Sequence, residues 1–313
     1  MKRKSLIKLF LWLFGASIIF FAGCQNSPIG PTSGSTSTDQ EAMAKLVEQD
    51  SSISSFQSNY NEDGAMSYMG KTNTAIYPIR VGQKVHLVNR NIDYTIMGDS
   101  AYAKVTSTFE GVLYIYASYA SGKDSADTTI QKPFTSVITR NVIFIKTPGD
   151  TNATYRHWRI AAVSLASGGV VSPNINITKI TVFLSDSDTL EITDPGSYYL
   201  TRWTKWWRLL PIIPRQRSIK VDVQLYSTYS DTDFVTLTYG CDLRGLHRAK
   251  KKFELVSSTQ SGSGYVKVYE QSYETHQWPG IYSAVINAFP HQVIFDDSAA
   301  VESSTWGIPY FVR

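Results

Sequence analysis

Cysteine is nearly missing from this chain: among 313 residues there are two, Cys24 and Cys241. That excludes a zinc site built from several cysteines and any disulfide framework. Charge is also sparse, at 18% of residues, and none of the first 23 residues is acidic. No apolar run is long enough to span a bilayer as a resident helix, since the longest, Leu9 to Ala22, is broken by Gly15 and Ser17. Catalytic signatures are lacking too: there is no His-Glu-x-x-His, no Gly-x-Ser-x-Gly elbow, no P-loop and no Gly-x-Gly-x-x-Gly after a strand. The five histidines, His86, His157, His247, His276 and His291, are scattered without ligand spacing.

What stands at the start of the chain is a basic segment, Lys2, Arg3, Lys4 and Lys8, followed by that short apolar run. This is the layout of a secretory signal peptide. The sequence Phe-Ala-Gly-Cys at 21–24 resembles the lipobox of bacterial lipoproteins, with phenylalanine where leucine is usual. The resemblance implies a signal peptide over 1–23 and a lipidated Cys24, held firmly on a membrane because each buried methylene contributes about 0.8 kcal/mol. Gln25 rather than Asp follows the cysteine, which implies outer-membrane placement in a host with two membranes. With Cys24 acylated, Cys241 has no disulfide partner in the chain and is expected as a small buried residue.

Loss of the signal removes four cations and no acid, leaving 26 basic against 26 acidic residues. A neutral chain gives nucleic acid no electrostatic purchase. Residues 24–38, rich in Ser, Thr, Pro and Gly, read as a flexible tether with a reach of roughly 20 Å.

Thr38 and Glu41 have the spacing of a capping box, and Met43, Leu46 and Val47 recur at helical spacing, so a helix is expected over Asp39 to Phe56. Strand patterns follow at 81–88, 93–118, 136–146 and 155–165, with Gly98-Asp99 as a tight hairpin turn. A leading helix and long antiparallel strands ending on Trp158-Arg159-Ile160 resemble the NTF2-like cone over residues 39–170. That resemblance implies an α+β domain in which a curved sheet cradles a helix around a pocket. His157, with Asp93 or Asp99, is the candidate acid–base pair in such a pocket. Residues 167–178, with their Gly, Pro and Asn punctuation, read as a domain junction. From 177 to 313 short strands recur between turn clusters, including 179–185, 218–227, 234–240, 265–272, 281–289, 292–297 and 308–313. Their layout resembles an immunoglobulin-like β-sandwich.

The segment Thr201 to Arg215 concentrates three of the seven tryptophans. As a helix it places Trp203, Trp206, Trp207 and Leu210 on one face and Arg202, Lys205 and Arg208 on the other. Three uses of the apolar face stay open: packing on the sandwich, lying in a membrane interface, or recognising a protein or glycan. Paired acids at Asp186/Asp188, Asp231/Asp233 and Asp296/Asp297 read as solvated turn residues, and no cofactor or metal is expected. The functional expectation is a noncatalytic binding or interaction module on the cell envelope. The alternative is a small-ligand pocket or enzyme with a carbohydrate-binding sandwich as accessory.

Overall fold

Apolar and polar residues alternate over unusually long stretches after residue 76, and each stretch becomes one strand. The structure, a computed structural model, describes residues 35–50, 53, 66–67, 76–147, 158–185, 188–203, 206–208, 210–242 and 249–313, with the backbone alone at a few of them, among them 203, 206–208 and 241. It begins with helix α1 (Ser35–Gln49) and strand β1 (Met66–Ser67). Three long strands follow: β2 (Tyr77–Met97), β3 (Ser100–Ser118) and β4 (Thr128–Lys146). Met97 pairs with Ser100 across Gly98-Asp99, and Gly98 has φ +61°, the positive value a two-residue hairpin loop requires at its first position. Next come β5 (Trp158–Ser164), β6 (Ala166–Gly169), β7 (Ile175–Ser185) and β8 (Asp188–Ile192). Strands β9 (Tyr199–Trp203), β10 (Trp206–Arg208), β11 (Ile212–Ile213), β12 (Ser218–Ser227) and β13 (Phe234–Asp242) continue the series. The last are β14 (Ala249–Lys252), β15 (Glu254–Ser261), β16 (Gly264–Glu274), β17 (Gly280–Phe289), helix α2 (His291–Phe295) and β18 (Ser304–Val312).

Two sheets hold these strands. The larger has 13 described strands, with a main path β1-β2-β3-β4-β6-β18-β17-β13-β14, and the smaller runs β15-β16-β12-β7-β8. The small sheet lies on one face of β18, β17 and β13, and the layers share a core. Ile219, Val221, Val223 and Leu225 of β12 meet Val235, Leu237, Ile286 and Trp306 there, all buried. Each fully buried aliphatic side chain contributes about 1.5–3 kcal/mol, so this β-sandwich has a substantial core. The alternation read in 218–227 thus maps directly onto the buried face.

The opposite face of the large sheet is covered at two places. Ala42, Met43 and Val47 of α1 pack on Ala101, Ala103, Val142 and Phe144. Val293, Ile294 and Phe295 of α2 pack with Leu113 and Ile115 of β3 and with Phe234 and Phe289 of β13 and β17, strands far apart along the sheet. The sheet therefore curls until its two wings share one cluster. Lys132 of β4 fastens α2 by donating from Nζ to the carbonyls of Val293 and Ala299, both at 2.8 Å, and of Asp296. Burial lowers the Lys132 pKa.

Several expectations are corrected. The α+β NTF2-like cone is not formed: strand makes up 67% and helix 8% of the described residues, an all-β composition in two sheets. The physical reason lies at β6. Its Ser167 pairs with Thr139 of β4 on one side and with Trp306 of β18 on the other, so the long strands run on into the sandwich instead of closing round a helix. Gly168 (φ +154°) and Gly169 (φ +127°) let β6 fit between them, since a Cβ on Gly168 would stand 1.9 Å from the Val137 carbonyl oxygen. The helix begins at Ser35, four residues before Asp39, which puts Thr38 inside it rather than at a cap; its expected end at Phe56 lies outside the described residues. Residues 292–297 were expected as a strand, but their core is α2, in which Val293, Ile294 and Phe295 are all buried. A short run without alternation does not distinguish the two.

The tryptophan segment is extended, not helical. Trp203 pairs with Trp206, Arg202 with Trp207 and Thr201 with Arg208. Strand β9 also pairs with β5, Thr201 with Ala162 and Tyr199 with Ser164. The free edge of β5 offers backbone hydrogen bonds that an isolated nine-residue helix lacks, and Trp, Tyr and Thr suit a pleated surface.

Asp233 is the other correction. It is not a solvated turn residue but 1% exposed, and Lys267 Nζ donates to its Oδ2 at 2.8 Å. Ser227 Oγ donates to Oδ1 at 3.0 Å and Tyr269 Oη to Oδ2 at 3.2 Å, while the Asp233 N–H donates to Tyr269 Oη at 2.8 Å. Lys267 also donates to the Asp231 carbonyl. Burial holds the Asp233 carboxyl above its usual pKa range against the pull of Lys267.

Candidate functional site

Where the small sheet stops short of covering β6, a cleft of about 520 Å³ opens. Trp306 of β18, Ile175 and Ile177 of β7 and Ser167 of β6 form its deeper part, with Trp306 6% exposed. One wall is the turn Thr193–Gly196, and the other is built from Val171–Ser172 and Ser303–Ser304. The volume lies within the range usual for small-molecule sites.

Both walls are hydrogen-bonded in place. Asp194 caps its own turn, with Oδ1 accepting from Gly196 N at 2.9 Å and Oδ2 accepting from Ser197 Oγ. The donor hydroxyl of Ser197, with the backbone N–H groups of 196 and 197, holds the Asp194 carboxyl below the usual range, so it is ionised at neutral pH. Asn141 Nδ2 donates to the Gly196 carbonyl at 3.0 Å and thereby ties the turn to β4. Across the cleft, Ser303 Oγ accepts from Val170 N and Ser304 Oγ from Ile177 N, each at 3.0 Å. Ser172 Oγ donates to Glu302 Oε2 at 2.8 Å, and Asn174 Nδ2 donates to both Glu302 oxygens. Asn176 and Thr193 stand exposed at the rim. Among the described residues that line the cleft, Asp194 is the sole ionisable side chain and none is lysine or arginine.

Of the residues singled out from the sequence, none of the described ones lines the cleft. Cys24 and His157 are outside the described residues, as are the side chains of Trp203, Trp206, Trp207 and Arg208. Arg202 is half-buried and forms a salt bridge with Asp50 just past α1. Asp93 is exposed on β2, where it accepts from Asn91 Nδ2 at 3.0 Å, and Asp99 is exposed in the hairpin turn. Among the other histidines, His86 is exposed beside Glu110, His276 stacks on Tyr282, and His291 stacks on Phe295 at 4.0 Å. No group of three or more potential metal ligands occurs among the described residues.

The chain matches no family model and no curated protein. The cleft was missed in the sequence because 167–178 reads as a junction. Its residues are those that also punctuate linkers, and nothing local tells a Ser-Gly-Gly linker from a short strand threaded between two others. Only the positive φ values of the glycine pair, invisible in sequence, carry that information.

Proposed function

We propose that this protein is a lipid-anchored lipoprotein of the bacterial cell envelope that works as a noncatalytic binding module, with the cleft beside β6 as its recognition surface. The lipobox-like segment ending at Cys24 supports the anchor and, with Gln25, the outer-membrane location. One observation carries the binding role: a cleft whose walls are fixed by their own hydrogen bonds and whose single carboxylate already caps its turn. Such a group suits holding a ligand better than moving a proton, because two of its acceptor positions are taken and its pKa lies far from neutrality. Rigid walls reduce the ordering cost of association. The partners in this reading are the membrane, through the lipid, and a polar ligand or glycan in the cleft; nucleic acid is not among them.

Ligand-observed NMR against a library of envelope metabolites and saccharides tests the reading, comparing the wild type with Asn176→Trp, which fills the rim. At least one compound is expected to lose its saturation transfer in the variant while the melting temperature stays unchanged. A library without any cleft-dependent signal would refute the module. Metabolic labelling with an alkyne fatty acid, present in the wild type and lost in Cys24→Ser, checks the anchor.

A further inference from the structure

We infer that the protein forms a two-fold homodimer in which the outer edge of β2 pairs with the same edge of a second copy, antiparallel and with Ile92 on the axis.

Strand β2 is paired with β3 on one side from Tyr77 to Met97. On its other side the described residues supply only β1, which pairs at Arg80 and Val81. The outward N–H and C=O groups farther along the strand are a template for another chain. Other sheet edges are guarded by charge or carry no apolar row. Strand β14 has three lysines among its four residues, β8 has Asp188 and Glu191 among its five, and β15 after Val256 has only Ser, Thr and Gln. From Asn89 to Met97, by contrast, the charged side chains of β2 are Arg90 and Asp93 alone. Arg90, Ile92, Tyr94 and Ile96 are half-buried on the face that carries α1, where Ile92, Tyr94 and Ile96 flank the cluster around Met43. Asn89, Asn91, Asp93, Thr95 and Met97 are exposed on the other face. An added strand would cover what the row of Ile92, Tyr94 and Ile96 still shows to solvent.

Self-complementarity selects the register. About a two-fold axis normal to the sheet, cross-strand partners share a face, so their residue numbers add to an even value. The longest ladder clear of the bulge at Val88 centres on Asp93, but it sets the two carboxylates against each other, and centring on Arg90 does the same to the guanidinium groups. Centring on Asn91 places Arg90 opposite Ile92 and Tyr94 opposite the bulge. Centring on Tyr94 carries Leu87 and Val88 past the hairpin turn of the second copy, where no residue of β2 covers them. Ile92 at the centre avoids all four conflicts. Arg90 then lies beside the Tyr94 ring, Asn91 beside Asp93 and Asn89 beside Thr95, each pairing made twice; a cation on a ring and a carboxamide donating to a carboxylate are both favourable. Beyond the bulge, Leu87 and Val88, 42% and 51% exposed, come opposite Met97, 53% exposed, and Ile96. The apolar ends of the edge cover one another.

Sedimentation velocity of the full chain in a density-matched detergent tests the assembly, and disulfide trapping tests the register. Two copies per particle are expected at micromolar concentration. Asn91→Asp, which sets a carboxylate against Asp93 of the second copy twice per dimer, is expected to raise the dissociation constant on the order of tenfold, and Asn91→Lys to lower it. Position 91 is exposed, so the melting temperature of the monomer should be the same in both variants. Ile92→Cys brings two cysteines to the axis, within the Cα spacing of a disulfide, whereas in Met97→Cys they stand roughly 30 Å apart. The first is expected to give a dimer on non-reducing gels and the second only the background of the parent chain. Asn91→Cys mixed with Asp93→Cys serves where Ile92→Cys fails to fold. A monomer at every concentration, a dimer indifferent to both Asn91 variants, or trapping at Met97 equal to that at Ile92 would each overturn the assembly. So would an Ile92→Cys adduct on cells whose mass is not that of two chains, which gives the edge to a different protein.

Discussion

Replacing Lys267 by Met isolates the energetics of the buried ion pair. The change keeps the length of the aliphatic stem but removes the charge that faces Asp233 at 2.8 Å and the donor to the Asp231 carbonyl. Both side chains of the pair are fully buried, so solvent does not take over either role. Removing one partner of such a pair costs about 3–5 kcal/mol, because the other charge stays buried without compensation. For an ordered body of this size that is a drop in Tm of about 10 °C. The pH dependence is the sharper signature. In the variant the Asp233 carboxyl, already raised by burial, loses the one cation that restrained it and rises further. A folded-state pKa above the unfolded one makes the native state bind more protons. The stability it brings is full below the unfolded pKa and is lost as pH rises through the folded pKa, by up to about 1.4 kcal/mol per pH unit. The deficit of Lys267→Met relative to wild type should therefore be largest near neutrality and shrink toward pH 4. Urea melts from pH 4 to 8 measure it; a deficit under about 1 kcal/mol at pH 7, or one that does not change with pH, refutes the reasoning.

Two other variants probe how the large sheet is held. Lys132→Met leaves the carbonyls of Val293, Asp296 and Ala299 without their donor, and is expected to destabilise by about 2–3 kcal/mol and to speed amide exchange in α2 before the sandwich strands. Gly168→Ala drives a Cβ into the Val137 carbonyl and should abolish soluble folded protein, whereas Gly262→Ala, at φ +61° with nothing within 4 Å, should cost only about 1–2 kcal/mol. Expression and thermal melts of the two alanine variants, made together, decide this; equal stability of the pair would contradict the threading role of β6.

The sandwich half was the more legible in sequence, for a physical reason. Strand β12 has one buried and one polar face, so its period of two is written in Ile219, Val221, Val223 and Leu225. Strands β2 to β4 were visible as strands by the same rule, but what they pair with was not. Beside β3 and β5, β4 pairs with a four-residue strand, Ala166–Gly169, too short and too rich in glycine to carry a pattern. The tryptophan segment misled because its charges and rings fall on helical spacing, while hydrogen bonding to the edge of β5 decides its conformation. Asp233 looked like a turn residue because the cation that holds it lies 34 positions away, on another strand. The cleft combines both difficulties, since its walls come from three separated segments joined by hydrogen bonds between residues as distant as Val170 and Ser303.

The position of β18 also sets a timetable. The strand that joins the two wings of the large sheet, between β6 and β17, is the last of the described strands in chain order, and its Trp306 pairs with Ser167, 139 positions earlier. Closing so long a loop is slow, and until Ser304–Val312 arrives the edges of β6 and β17 that it pairs with stay open. A chain synthesised amino end first must therefore wait with long unpaired strand edges, the state in which β proteins aggregate. The yield of folded protein should therefore depend on how well that interval is protected, and a chaperone that shields strand edges should raise it more than one that isomerises prolines.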